Sequence, residues 1–154
     1  MTAEIDYKME GLLGLQQALN AGMQGGQLNG NFLAFHDIIE SKNRYWFAKV
    51  IEGEVLSLAT FREEETIKGV SCYGINYNVA EKYRGRGLAA ETVNKGIEEL
   101  KINFQRSFYV DAIIDEKNIH SIRVAKKIFP DSGAKAKDYF SGTPSLYFRK
   151  LIAI

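Results

Sequence analysis

The sequence predicts an α+β protein, and three stretches carry that prediction. Between Tyr45 and Phe61, two runs rich in aromatic and β-branched residues meet at Glu52-Gly53, as the strands of a hairpin do. From Tyr73 to Leu100, an alternating pattern passes through a glycine-rich turn into an amphipathic helix pattern. From Phe108 to Ile114, an apolar strand pattern leads to a helix start at Asn118. Strands joined first by tight turns and later by helices build a mixed sheet.

In chain order, Met9, Leu12, Leu15 and Leu19 recur at helical spacing and predict a first helix over 9–20. Gly22, Gly25, Gly26 and Gly30 break it. Phe32, Phe35, Ile38 and Ile39 predict a second, short helix. Tyr45–Ile51 and Glu54–Phe61 form the hairpin, and Glu63-Glu64-Glu65 reads as a solvated turn. In the next strand Tyr73, Ile75, Tyr77 and Val79 share one face, and Gly74, Asn76 and Asn78 share the other. Leu88, Ala89, Val93, Ile97 and Leu100 then form one helical stripe. A helix between them makes Phe108–Ile114 parallel to the preceding strand. Pro130 stops the helix that Asn118 opens, and Ser141-Gly142-Thr143-Pro144 turns the chain between two final strands.

Composition excludes several functions. The length of 154 residues predicts one domain over 1–154, able to bury roughly two thirds of its unfolded surface. With 20 basic and 19 acidic residues, the chain offers no broad charge for nucleic acid or an anionic membrane. No apolar run is long enough to cross a bilayer, the N-terminus has no signal character, and one cysteine permits no internal disulfide. The expectation is a reduced, cytoplasmic protein. His36 and His120 lack metal-ligand spacing, so no metal is expected, and Cys72 reads as a small buried hydrophobe.

The chemistry concentrates at Arg84-Gly85-Arg86-Gly87-Leu88-Ala89. A helix start has amide N–H groups with no intrahelical partner and a partial positive charge. Glycines let an anion approach the backbone, and two arginines add formal charge. Arginines in a first helical turn oppose the dipole by up to about 1 kcal/mol unless an anion sits there. A phosphorylated ligand is therefore expected. No Gly-Lys-Ser/Thr follows, which argues against a Walker loop, and the late position of the strand argues against a dinucleotide fold.

Arg84-x-x-Gly87-x-Ala89 resembles the R/Q-x-x-G-x-G/A signature of the GNAT superfamily of acetyl-CoA-dependent N-acetyltransferases. Asn118-x-x-Ser121 and the run to Ile128-Phe129 are similar to that family's second block. The resemblance covers roughly residues 45–150, while residues 1–44 match only in helical character. It implies a mixed central sheet of about six to seven strands flanked by about four helices, with splayed central parallel strands. It also implies acetyl-CoA as cosubstrate, held by Tyr77, Val79, Arg84, Gly85, Arg86, Gly87, Leu88, Ala89, Asn118 and Ser121. The Tyr77 amide would face the acetyl oxygen and the Val79 amide the pantetheine arm. As a plain helix cap, Asn118 would contribute about 1 kcal/mol and need no other role.

Two positions depart from the family pattern. Ala125 stands where many members carry a general-acid tyrosine, and Tyr73 where protein-lysine members carry a glutamate base. Asp111, Asp115, Tyr139, Tyr147 and ordered water remain candidates for proton transfer. The expected activity is acetyl transfer to a primary amine, of a small molecule or a protein N-terminus or lysine, by direct attack in a ternary complex. A catalytically silent acyl-CoA-binding protein is the alternative, and a structural domain whose glycine turn holds nothing is a third. An exposed edge strand would support a homodimer.

Overall fold

The computed structural model describes residues 11–138 and 141–154. One eight-stranded sheet organises them, in the order β1-β2-β3-β4-β5-β6-β8-β7. Its strands are β1 (Gly26–Leu28), β2 (Phe32–Ile39), β3 (Lys42–Ile51), β4 (Glu54–Ile67), β5 (Val70–Val79), β6 (Phe108–Asp115), β7 (Ala134–Lys137) and β8 (Pro144–Ile152). The helices are α1 (Leu12–Asn20), α2 (Leu88–Phe104) and α3 (Ile119–Ile128), with a single 3-10 turn at Glu81–Tyr83. Neighbouring strands run antiparallel except β5 and β6, which are parallel because α2 crosses between them. The described residues thus hold eight strands and three α-helices, one strand more and one helix fewer than expected.

That difference lies at residues 32–39. The expected second helix is strand β2, paired along its whole length with β3. The run Phe32-Leu33-Ala34-Phe35 is apolar on both faces: Ala34 packs on the core under α2, and Phe35 packs on the cluster under α1. A strand covered on both sides loses its period of two, so Phe32, Phe35 and Ile39 fall at helical spacing by coincidence. Its exit turn at Glu40-Ser41 takes φ values of 51° and 65°, the left-handed pair of a two-residue hairpin.

Glu63-Glu64-Glu65 is also not a turn. Strand β4 continues through it, and the chain reverses at Lys68-Gly69, with φ values of 48° and 80°. The predicted turn at Glu52-Gly53 is present, with φ values of 51° and 77°. The first helix is observed from Leu12 to Asn20; residues 9 and 10 of the prediction lie outside the described residues.

Two layers cover the sheet. On one face α2 and α3 close over the main core, where Phe47, Phe61, Tyr73, Val93, Phe108, Val110 and Phe148 are buried. Gly96 brings α2 against β3 and β4: a Cβ there would overlap the ring of Phe61 and lie 2.7 Å from Phe47. On the other face α1 packs Leu15 onto Trp46, Ala48, Val55 and Leu58. No helix among the described residues is long and apolar enough to cross a membrane.

Candidate functional site

The site forms where β5 ends. The Ala80 amide donates to the Leu56 carbonyl at 2.9 Å, so the even-numbered residues of β5 turn their N–H groups toward β4. The odd-numbered residues turn theirs toward β6. Pairing between β5 and β6 covers Cys72, Tyr73 and Gly74 against Tyr109, Val110 and Asp111, and then stops. Beyond Gly74 the two parallel strands part, and the N–H groups of Tyr77 and Val79 face the opening. In this state the Val79 amide donates to its neighbour's Asn78 Oδ1 at 2.9 Å.

After β5 the 3-10 turn delivers Arg84 in extended conformation. Gly85 and Gly87 follow with φ values of 82° and 74°, the left-handed conformation that disfavours any residue with a Cβ. Gly87 caps α2 without a side-chain hydrogen bond, and the first intrahelical bond runs from the Glu91 amide to the Gly87 carbonyl. The amides of the first turn are therefore left for something else. The turn is firmly seated: buried Thr92 bonds the Leu88 carbonyl at 2.7 Å and Ser57 Oγ at 2.6 Å. Ser57 belongs to β4, so sheet and helix start move as one.

Helix α3 supplies the facing wall. A cleft of about 200 Å³ lies between it and the turn, lined by Val79, Tyr83, Arg84, Gly85 and Gly87 through Ala90 on one side. His120, Arg123, Val124 and Lys127 line the other side. No carboxylate borders it, and Arg123 and Lys127 have no ion-pair partner among the described residues. A helix N-terminus with Arg84 beside it and two cationic side chains facing it makes a site for an anion.

Of the residues expected from the sequence, Val79, Arg84, Gly85, Gly87, Leu88 and Ala89 are brought together in this cleft. Arg86 lies outside the lining, with its guanidinium 5.5 Å from the centre of the Tyr83 ring. Tyr77, Asn118 and Ser121 lie outside it too. The Tyr77 hydroxyl donates to the Ser121 carbonyl at 2.6 Å and ties β5 to α3, and burial pushes that phenol well above its ordinary pKa. Asn118 is the predicted N-cap of α3: its Oδ1 accepts from the Ser121 amide at 3.1 Å.

Tyr83, His120, Arg123, Val124 and Lys127 are lining residues that sequence reasoning passed over. Their signal was present: His120, Arg123, Val124 and Lys127 stand three, four and seven positions apart, on one helical face. Tyr83 is held by its hydroxyl on Glu54 at 2.7 Å, and Lys82 meets the same carboxylate at 2.5 Å.

On the other face of the sheet, the proton-transfer candidates Asp111 and Tyr147 meet each other. Asp111 accepts from Arg149 Nε at 2.8 Å and Nη2 at 2.9 Å, and from the Tyr147 hydroxyl and the Cys72 thiol. Burial alone would raise the Asp111 pKa, but the bonds from Arg149 and Tyr147 outweigh it and hold the carboxyl below its ordinary value. Burial, with Asp111 alongside, pushes the Cys72 thiol up to about 12, so it stays protonated. That suits the buried hydrophobe predicted from sequence. Glu64, Cys72 and Asp111 gather within ligand distance of one another, and of the three Arg149 pairs with Asp111. Asp115 is the exposed last residue of β6 and accepts from the Lys117 amide at 2.9 Å, and Tyr139 lies outside the described residues.

The lowered Asp111 pKa makes a stability prediction. Its contribution is complete above the ordinary carboxylate range and disappears as pH falls through the lowered value. Urea unfolding of the wild type should therefore show stability falling between about pH 5 and pH 2. An Asp111→Asn variant should be less stable at pH 7 and should show a shallower fall.

Comparison with known proteins places this geometry. Residues 14–129 match the model of the Acetyltransferase (GNAT) family. No curated protein matches the sequence. Among solved structures, the ribosomal-protein-alanine N-acetyltransferase of Brucella melitensis is similar at TM-score 0.54 and 17% identity, over 71% of this chain and 69% of that one. RimJ of Mycobacterium smegmatis in complex with CoA-disulfide gives TM-score 0.60 and 19% identity, over 72% and 54%. The yncA protein of Salmonella typhimurium, with its cofactor acetyl-CoA, gives 0.55 and 19%, over 71% and 64%. The match thus spans from about half to two thirds of these three chains. Those likenesses concern the fold, and the family match covers most of the sequence: this chain belongs to the GNAT acetyltransferase family.

Proposed function

We propose that this protein moves an acetyl group from acetyl-CoA to a primary amine by direct attack in a ternary complex. The observation that carries the reading is the uncapped start of α2, with Arg84 beside it and Arg123 and Lys127 facing it across an acid-free cleft. In this reading the diphosphate of CoA lies on the amides of Gly87, Leu88 and Ala89. A cleft of about 200 Å³ is smaller than the roughly 300–1,000 Å³ that encloses a whole drug-sized ligand. It suits one charged group of a long molecule whose remainder lies along the fork between β5 and β6.

The chemistry asked of the chain is modest. The pantetheine arm would pair with β5 as a strand does, taking the Val79 amide once Asn78 releases it. The Tyr77 amide would donate to the acetyl oxygen as negative charge develops there. Nitrogen attacks the thioester carbon, the C–S bond breaks and the thiolate leaves, so much of the rate comes from orientation. The lone buried thiol of Cys72 suits a reducing compartment such as the cytoplasm. No metal enters this scheme.

A second reading, a silent acyl-CoA-binding protein, draws on Ala125 and Tyr73, both buried where many family members carry an acid and a base. Two measurements separate these readings. Calorimetry should show acetyl-CoA binding, weakened about tenfold in Arg123→Ala by loss of roughly 1.4 kcal/mol of charge-assisted contact. Release of CoA thiol over a panel of alkylamines, polyamines, lysine peptides and alanine-initiated peptides should then rise with at least one acceptor. Binding without thiol release from any of them would favour the silent protein, and absence of binding would remove both readings.

A further inference from the structure

The sheet face away from α2 and α3 holds a carboxylate that no cation pairs with among the described residues, at the point where β5 and β6 part; its Oε2 lies 4.0 Å from the Cys72 thiol. Glu64 of β4 stands opposite Cys72 in register. Its side chain leans sideways over Gly74, where a Cβ would overlap Glu64 Oε1. Gly74 has no positive φ, so its backbone conformation does not call for glycine; the space above it does. Gly74 is also the last residue of β5 paired with β6. A side chain from β4 has thus been given passage across β5 to reach the fork.

From this placement the geometry points to Glu64 as the general base that takes the acceptor's proton, with the amine entering from the α1 face of the sheet. The inference rests on the acetyltransferase reading above. A primary amine reaches the enzyme largely as ammonium near neutral pH, since α-amino groups titrate near 7.7–8.0 and lysine near 10.4. The base must lie at the fork and must not be neutralised by a cation. Asp111 fails the second condition because Arg149 and Tyr147 hold it. Tyr147 and Cys72 are both held protonated. Glu64 meets both conditions: Arg62 on its own strand is turned to Glu40, 3.1 Å away, and no ion pair reaches Glu64 among the described residues.

The neighbours of Glu64 tune it as a base requires. Burial of its carboxyl group and the charge of Asp111 raise its pKa, against the weaker opposing pull of Arg149 and Arg62. The residue as a whole stays exposed to solvent, so an acceptor can reach it. In the step, R–NH3+ gives one proton to the Glu64 carboxylate. The freed lone pair forms the C–N bond, the C–S bond breaks, and the second N–H proton leaves with the thiolate or to water. The products are the N-acetyl amine, CoA thiol and one proton on Glu64, later lost to solvent.

Glu64→Gln tests this with two amines of different basicity at saturating acetyl-CoA. Ethylamine is protonated at pH 7 and needs a base, whereas hydroxylamine is already neutral there. Expected for the variant is an ethylamine-dependent thiol release lowered about 100-fold or more at pH 7, with the deficit shrinking as pH rises toward the amine's own pKa. Hydroxylamine-dependent release and acetyl-CoA affinity should stay within about twofold of wild type, consistent with general-base loss alone. Equal rates with ethylamine, or equal losses with both amines, would overturn the assignment while leaving the acetyltransferase reading in place. If wild type binds acetyl-CoA but releases thiol with neither of these amines nor any acceptor of the panel above, both fall together. Gly74→Ala is a second check: displacing the Glu64 carboxylate should reproduce the selective loss with ethylamine, and an unchanged rate would also count against it.

Discussion

A Gly87→Val variant will bind acetyl-CoA at least about 100-fold more weakly than wild type and will melt only a few degrees lower. The two effects separate because Gly87 has two different surroundings. Within the protein, nothing lies within 4 Å of where its Cβ would project, so valine meets no clash. What it does meet is a φ of 74°, which costs an L-residue about 1–2 kcal/mol. In a domain of this size that is a fall of roughly 2–8 °C in Tm. Toward the ligand, the same open space is where the diphosphate would rest. Loss of two charge-assisted amide contacts, at roughly 1.5–3 kcal/mol each, accounts for at least the 100-fold. Calorimetry gives the affinity and thermal denaturation the stability. Unchanged affinity would remove the phosphate from this turn.

Phe61→Ala will destabilise the fold by about 3–5 kcal/mol, the range for emptying the site of a buried aromatic. Phe61 is fully buried and meets Phe47 edge-to-face, with ring centres 5.7 Å apart. It also forms the floor on which Gly96 of α2 rests. That second contact gives a sharper expectation. Gly96→Leu alone forces a side chain into Phe61 and should cost at least about 1–3 kcal/mol. Combined with Phe61→Ala, the leucine enters the vacated volume, so the double variant should be more stable than the sum of the two losses. Urea denaturation of all four proteins measures the coupling. Strict additivity would mean that α2 does not approach β4 at Gly96.

Much of this arrangement was legible in the sequence because its signals are local. Glu52-Gly53 announces its hairpin, Asn118 its cap, and Gly85 and Gly87 their left-handed turn, each through the conformational preference of one or two residues. The alternation from Tyr73 to Val79 is visible because only one face of β5 is fully apolar. Strand β2 was not legible, since burial on both faces erased its period. The length of β4 was hidden by its charge: three successive glutamates resemble a solvated turn, yet the strand carries them past β3 and back along β5.

The site divides in the same way. The glycine turn that opens α2 lies within six consecutive residues and could be read directly. Its opposite wall required knowing which face of α3 turns inward, and that is decided by packing of Ile122, Ala125 and Ile128 on the sheet. Glu64 was the least accessible of all. Its relation to Gly74 spans a hairpin and depends on a side chain crossing a neighbouring strand, which no spacing rule describes.

The three residue pairs that join β5 to β6 leave the protein with two leaves and a short spine. Strands β1 to β5 form one continuous ladder, and β6, β8 and β7 form another. Along the upper part of the spine the leaves share side-chain packing but no backbone bonds. Thermal breathing should accordingly open the molecule like a book, and deuterium should replace the Tyr77 amide hydrogen far sooner than those on the β4 side. A guest laid along that margin would act as binding thread, slowing exchange there without repacking the interior.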